Sequence, residues 1–265
     1  MSNTGTPGLE NVQSSSDVQS ILKASYIKVK KRSKILLPLL YVTLMIITIV
    51  YYVNNPGGSM EARILNYTNV IKMFRQHITL VMLGSGLAIL TSVPLGIIIT
   101  RPSLKRLTPL IDNPVNVAQT VPGLAIIALF FTTFGLGFRT AVFALWLYSL
   151  LPILRNTSIG IQSIDEGVIE AAVGMGMRPL RILTRIELPL ALPIIMAGIR
   201  TSVVVCVGSA ALSSFIGAGG LGDLIVTGIS LIRYNVIYAG AILSALLAIL
   251  LDNLLGSLEL YLSEK

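Results

Sequence analysis

The chain has 265 residues, of which 54% are hydrophobic and only 12% charged, and its mean hydropathy is +0.81. A soluble globular chain carries about 25% charged residues, so the composition indicates a membrane protein. The net charge of +8 would raise nucleic acid in a soluble chain. In a membrane protein the same excess follows from Lys and Arg retained in cytoplasmic loops, and no nucleic-acid partner is expected.

Residues 1–34 read as a polar tail, with Ser14-Ser15-Ser16 and a basic end at Lys28, Lys30, Lys31, Arg32 and Lys34. The first apolar run, Ile35 to Val53, is 19 residues long. At 1.5 Å per residue it spans about 29 Å, a full hydrocarbon thickness. It is too long for a signal h-region and no A-x-A cleavage site follows, so it reads as a retained anchor. A polar connection follows, broken at Pro56-Gly57-Gly58.

Five further spans are expected: His77–Thr100, Pro114–Gly135, Thr140–Leu154, Leu190–Phe215 and Asn235–Leu255. Pro94 and Pro122 fall within spans and are expected to kink them. Six crossings put both termini on one side. That side collects fourteen Lys and Arg, against five on the other (Arg63, Lys72, Arg75, Arg139 and Arg233). The positive-inside rule makes the richer side cytoplasmic, together with the long loop 155–189.

This loop is the most informative segment. Ser163-Ile164-Asp165-Glu166 has the spacing of a capping box, with acids suited to the helix dipole. The helix should run to about Val173 and end at Gly174 and Gly176. Pro179 then opens a second short helix, which Pro189 should terminate. Arg178, Arg181 and Arg185 fall on one face of it. Two readings are open on these grounds alone: an amphipathic loop on the lipid headgroups, or a compact hairpin whose small residues let another protein approach.

Glu170-Ala171-Ala172, Gly176 four residues on, and Ile186-x-Leu188-Pro189 resemble the EAA loop of binding-protein-dependent ABC importer permeases. The resemblance extends over residues 77–262 and favours the hairpin. It implies an all-α fold: a five-helix type I importer core like that of methionine permeases, with the first span as an addition. It also implies a coupling element that docks on a separate ATPase. Glu170, Ala171, Ala172 and Gly176 would form the docking surface, with Ile186, Leu188 and Pro189 completing the loop. The chain has no G-x-x-x-x-G-K-[ST], so ATP and its magnesium would be held by the partner. The expected partners are two ATPase subunits, a second copy or paralogue of the permease, an extracytoplasmic substrate-binding protein and the lipid bilayer of a bacterial cytoplasmic membrane.

Leu188–Pro193, Ala197–Thr201 and Phe215–Asp223 look like the osmoprotectant branch, which takes up glycine betaine, carnitine, choline and related quaternary amines. The glycine-rich stretch is shared with methionine-type permeases, whereas Gly198-Ile199-Arg200-Thr201 is closer to the osmoprotectant branch. A methionine-like amino acid is the alternative substrate. An ATP-independent secondary transporter is the alternative mechanism, and it would need no EAA loop.

Several features invite other chemistry. Gly217-Ala218-Gly219-Gly220-Leu221-Gly222 fits G-x-G-x-x-G, but no βαβ unit surrounds it, so no dinucleotide is expected. It reads instead as a helix break at the outer end of a span, followed by a short helix from Asp223 to Leu231. Gly217, Gly219, Gly220 and Asp223 are therefore candidates for an outer gate.

Arg200 lies inside a span, where a charge is costly unless partnered. It could meet a substrate carboxylate, pair with Asp252, or reach the interface roughly 15 Å away; an internal partner or the interface is favoured. Ser85, Gln119, Thr120, Ser209, Ser213 and Ser214 could line a pathway, but helix packing is the favoured role for each of them. Trp146 is the chain's one tryptophan and cannot alone build an aromatic cage for a quaternary ammonium. One histidine, His77, and one cysteine, Cys206, supply neither a clustered metal site nor an internal disulfide. With no nucleophile–base constellation, no catalytic residue is assigned and no enzyme activity is expected.

Overall fold

A computed structural model describes residues 36–101 and 121–263. Ten α-helices are used below: α1 (Leu36–Asn54), α2 (Ser59–Ile64), α3 (Tyr67–Ile99), α4 (Gly123–Phe134), α5 (Phe138–Gln162), α6 (Glu166–Gly174), α7 (Pro179–Ile182), α8 (Leu188–Leu212), α9 (Gly222–Ser230) and α10 (Tyr234–Ser263). A π-helical turn, Leu183–Glu187, joins α7 to α8, and a 3-10 turn, Ser213–Ile216, follows α8.

Among the described residues, five helical stretches are long and apolar enough to cross a membrane: α1, α3, α5, the continuous Pro179–Ile216 and α10. Of the expected Pro114–Gly135 crossing, α4 supplies 12 residues, and the first part lies outside the described residues. Gly84 packs against Leu145 and Gly96 against Leu154 and Thr157, so α3 and α5 run parallel. Between Arg101 and Phe138 the chain therefore regains the far end of the bundle.

The limits of the spans differ from expectation in one direction: the helices run on past their apolar cores. α3 begins at Tyr67 and α5 extends through Gly160 to Gln162, because intrahelical bonds outweigh the loss of apolar character. Pro122 sits at the N-cap of α4 rather than kinking a helix interior, which suits a residue without a backbone donor. Pro94 lies inside α3 as expected, and Pro152 and Pro193 lie inside α5 and α8.

Small side chains let the helices approach closely. Ala141, Ala144, Ala191, Ala210 and Cys206 are all essentially buried. Adding a Cβ at Gly198 would place it 2.5 Å from Asn156 Cβ, where α5 and α8 touch. Larger residues fill the remaining core, including Leu80, Leu145, Ile153, Leu221, Leu224 and Leu243. Polar contacts between helices are few and specific. Ser92 Oγ donates to the Leu150 carbonyl at 3.0 Å, Ser202 Oγ to the Ser149 carbonyl at 2.6 Å, and Trp146 Nε1 to Thr91 Oγ1 at 3.1 Å.

The first span joins this core through its C-terminal end. Asn235 Nδ2 donates to the Pro56 carbonyl at 3.2 Å, and Arg233 lies 3.5 Å from Glu61 of α2. Within the apolar layer α1 contributes Met45 to the core. An apolar groove of about 310 Å³ remains between α1, α3 and α10.

Candidate functional site

The hairpin begins where α5 stops. The expected cap, Ser163, instead closes the end of α5: its hydroxyl donates back to the Gly160 carbonyl at 2.9 Å. Asp165 caps α6, accepting from the Gly167 amide at 2.7 Å. Both are good caps by type, and the overrun of α5 decides between them.

α6 ends at a motif that explains the spacing of the EAA loop. The Gly176 amide donates to the Val173 carbonyl at 2.9 Å and the Met177 amide to the Ala172 carbonyl at 3.1 Å. This paired closure is a Schellman motif, whose turning residue takes a left-handed conformation. Gly176 has φ +73°, and a Cβ there would meet nothing within 4 Å. Conformation, not space, therefore selects glycine.

The same turn corrects one expectation. Ala172 is fully buried, so its side chain belongs to the packing of the hairpin and not to an outward docking face. Glu170 and Ala171 are exposed, beside Val168, Val173, Met175 and, from α7, Leu180. The hairpin thus carries apolar surface with one carboxylate on it, while Arg178, Arg181 and Arg185 are exposed along α7 and the π turn.

Pro189 does not terminate the second helix. The Leu188 amide donates to the Leu183 carbonyl, five residues back, and the π turn carries the chain into α8 with Pro189 in its first turn. Proline has no donor to lose there. Ile186 and Leu188 are half-buried and Pro189 is exposed. Glu187 on the π turn is buried and receives Arg101 from the end of α3, with Arg101 Nη2 2.5 Å and Nη1 3.3 Å from its two oxygens. Sequence reasoning missed this pair, because 86 residues separate its partners.

Arg200 has a partner of the favoured kind. Its Nε and Nη2 donate to the two Asp252 oxygens at 2.9 Å each, and Nη1 to Glu259 at 3.2 Å. Gly256 lies beneath the guanidinium, where a Cβ would be 3.2 Å from Arg200 Cζ. Ser209 and Ser213 are buried, and Ser213 Oγ bonds the Ser209 carbonyl at 3.4 Å. Ser85 Oγ donates to the Val81 carbonyl at 2.6 Å. The Ser85 and Ser213 hydroxyls are thus occupied by their own helices. Gln119 and Thr120 lie outside the described residues. Trp146 joins Phe130, Phe134 and Phe143, with ring centroids of successive contacts 4.9 to 5.3 Å apart; the rings meet edge-on or tilted in a packed cluster.

The glycine-rich stretch is a helix break followed by α9, close to the expected start and end. It packs on the first turns of α3: a Cβ on Gly219 (φ +80°) would lie 2.8 Å from Gln76 Oε1. Gly217, Gly219 and Asp223 line one polar cavity with Lys72 and Gln76, while Gly220 is buried against His77. From Lys72 to Arg101 along α3 is about 43 Å, so this loop and the hairpin occupy opposite ends of the bundle.

Comparison with known proteins agrees with this geometry. Residues 92–262 match the family described as the inner membrane component of binding-protein-dependent transport systems. The glycine betaine/carnitine/choline transport system permease protein OpuCD of Bacillus subtilis is 44% identical, over 73% of this chain and 84% of that protein. The choline transport system permease protein OpuBB of the same organism is 45% identical, over 69% and 84%. The osmoprotectant import permease protein OsmW of Salmonella typhimurium is 43% identical, over 72% and 90%. Among solved structures, the methionine ABC transporter MetNI in inward-facing form superposes with a TM-score of 0.65 at 21% identity, covering 73% of this chain and 95% of that one. An amino-acid ABC transporter with histidines gives 0.59 at 20%, covering 77% and 97%. The fold is that of a type I ABC importer permease, and the chain belongs to the family of inner-membrane components of binding-protein-dependent transport systems.

Proposed function

We propose that this chain is the permease subunit of an ATP-driven importer for quaternary-amine osmoprotectants: glycine betaine, carnitine, choline or a close relative. The observation that carries this reading is identity of 43–45% across most of the chain to permeases named for those solutes. The chain performs no bond chemistry. ATP and magnesium belong to the two ATPase subunits that would dock on the hairpin, where Glu170 offers a charge-assisted contact and Ala171, Val173 and Met175 offer apolar area. A second copy or paralogue completes the pathway, and an extracytoplasmic binding protein delivers substrate. The basic excess at the hairpin end supports placing that end, Leu36 and Ser263 in the cytoplasm. Closure of the ATPases would draw two hairpins together and open the spans outward; hydrolysis would reverse the movement and release substrate inward.

The test is uptake of labelled glycine betaine at high osmolarity, with and without this gene, in a host lacking other osmolyte importers. Uptake should require the gene, be competed by choline or carnitine but not by methionine, and vanish in Glu170→Lys at normal membrane levels. Methionine uptake in place of betaine uptake would return the chain to the amino-acid branch, which the shared fold alone allows.

A further inference from the structure

The outer end of the bundle holds two opposite charges that nothing in the coupling mechanism uses. Lys72, in the second turn of α3, and Asp223, in the first turn of α9, line one polar cavity of about 230 Å³ with Asn69, Gln76, Gly217 and Gly219. Among the described residues, neither side chain makes an ion pair or hydrogen bond, and they are not bonded to each other. The Gln76 side-chain amide is likewise without a hydrogen-bond partner among them. Gly219 leaves room for that amide in the wall, since a Cβ there would lie within 2.8 Å of it.

Taken singly, each charge has an ordinary origin. An acid suits the N-terminal turn of a helix, and a lysine on an outer helix face is solvated. Taken together they give one cavity a cation, an anion and an unbonded amide in its wall. Its volume lies below the range typical of drug-sized ligands, as a small solute requires. Arg75, Tyr67 and Phe138 line a wider cavity of about 610 Å³ that shares Lys72 and Gln76 as its wall. The two adjoining cavities together carry Lys72 and Arg75 against Asp223, an excess of positive charge that favours a solute with a carboxylate over a bare cation.

We propose that this cavity is a permease subsite for a zwitterion, with Lys72 and Gln76 receiving the carboxylate and Asp223 facing the quaternary ammonium. The subsite rests on the osmoprotectant reading above and adds to it a basis for selecting among these solutes: glycine betaine and carnitine carry the carboxylate that Lys72 would bind, whereas choline does not.

The experiment is uptake of labelled glycine betaine and labelled choline by cells making the complete transporter with wild-type, Lys72→Gln, Lys72→Arg or Asp223→Asn permease, at matched membrane levels. Lys72 is exposed, so its replacement leaves the core intact. Lys72→Gln should lower betaine uptake about tenfold, the loss of one charge-assisted hydrogen bond, and choline uptake less than about twofold. Lys72→Arg should retain the wild-type ratio, and Asp223→Asn should lower uptake of both solutes. An unchanged betaine-to-choline ratio in Lys72→Gln overturns the subsite while leaving the importer assignment standing. Recovery of wild-type uptake by the exchange Lys72→Asp with Asp223→Lys would also overturn it, since it would make the two a gate pair. A wild-type chain that carries neither solute removes the osmoprotectant reading itself.

Discussion

At position 176 the chain turns left-handed, and the cost of any other residue there can be stated. A side chain with a Cβ loses about 1–2 kcal/mol in this region of backbone space, with asparagine among the few that tolerate it. Gly176→Val should therefore loosen the hairpin, and Gly176→Asn should do so less. Trypsin should then cut the solubilised complex at Arg181 fastest in the valine variant, more slowly in the asparagine variant and slowest in the wild type. Equal cleavage rates in the three proteins would mean that the turn does not depend on its glycine. The Glu-Ala-Ala and glycine pattern was visible in the sequence, but its geometric meaning was not: Ala172 supplies a carbonyl that closes the helix stop and Gly176 is the residue on which the stop turns. Asp165 was also visible, though a second good cap two residues earlier concealed it. Ala172 could not be sorted from Ala171 by type, since two adjacent alanines differ only in the helix face that each presents.

Among the elements, the π turn at Leu183–Glu187 joins the hairpin to both of its neighbours. It continues into α8, and through Glu187 it grips the end of α3 by Arg101. On the proposed function, a hairpin pushed by an ATPase would then move two spans together. Glu187→Gln should keep the permease in the membrane and the ATPase bound, yet lower uptake several-fold at undiminished ATP hydrolysis. Exchanging the charges as Arg101→Glu with Glu187→Arg should restore part of it. A proportional fall in hydrolysis and uptake, with no rescue, would place the pair outside the coupling route. Five of the six expected crossings were legible, because an apolar run of membrane length is seldom anything but a span. Their ends were not, since helices such as α5 continue past the apolar layer wherever backbone bonding is uninterrupted. Nor was the passage through Pro189, because a proline reads as a stop unless an added residue in the preceding turn accommodates it.

Over the whole molecule the outward surfaces fall into two kinds. Leu83, Leu87 and Leu90 on α3 present plain hydrocarbon, as a lipid contact requires. Arg200 and Asp252 do not: their side chains remain 34% and 35% exposed, roughly 16 Å of helix from Pro189. A third of an ion pair left uncovered at that depth belongs against water or protein, not acyl chains. Thr201 shares this face. In a Cys206→Ala background, Thr201→Cys should react with a charged maleimide in membrane vesicles, and Leu90→Cys should not. Equal labelling of both, or of neither, would remove the distinction between the faces. Arg200's partner was within reach of sequence reasoning, because a cation inside a span asks for an anion and Asp252 lies in a neighbouring one. The third member, Glu259, lies about two turns further along α10, and only the placed guanidinium fork shows that one arginine reaches both carboxylates.

The helix from Pro179 to Ile216 is continuous over 38 residues, about 57 Å from end to end. One end is rooted in the hairpin and the other stops at the glycine loop that walls the Lys72 cavity. A rod of that length is a lever arm: a tilt of roughly 5° about its hairpin end carries the far end through about 5 Å. That displacement is comparable to the width of the cavity it borders. A small rotation imposed on one side of the membrane would therefore suffice to form or abolish a solute-sized space on the other, with no change of secondary structure between them.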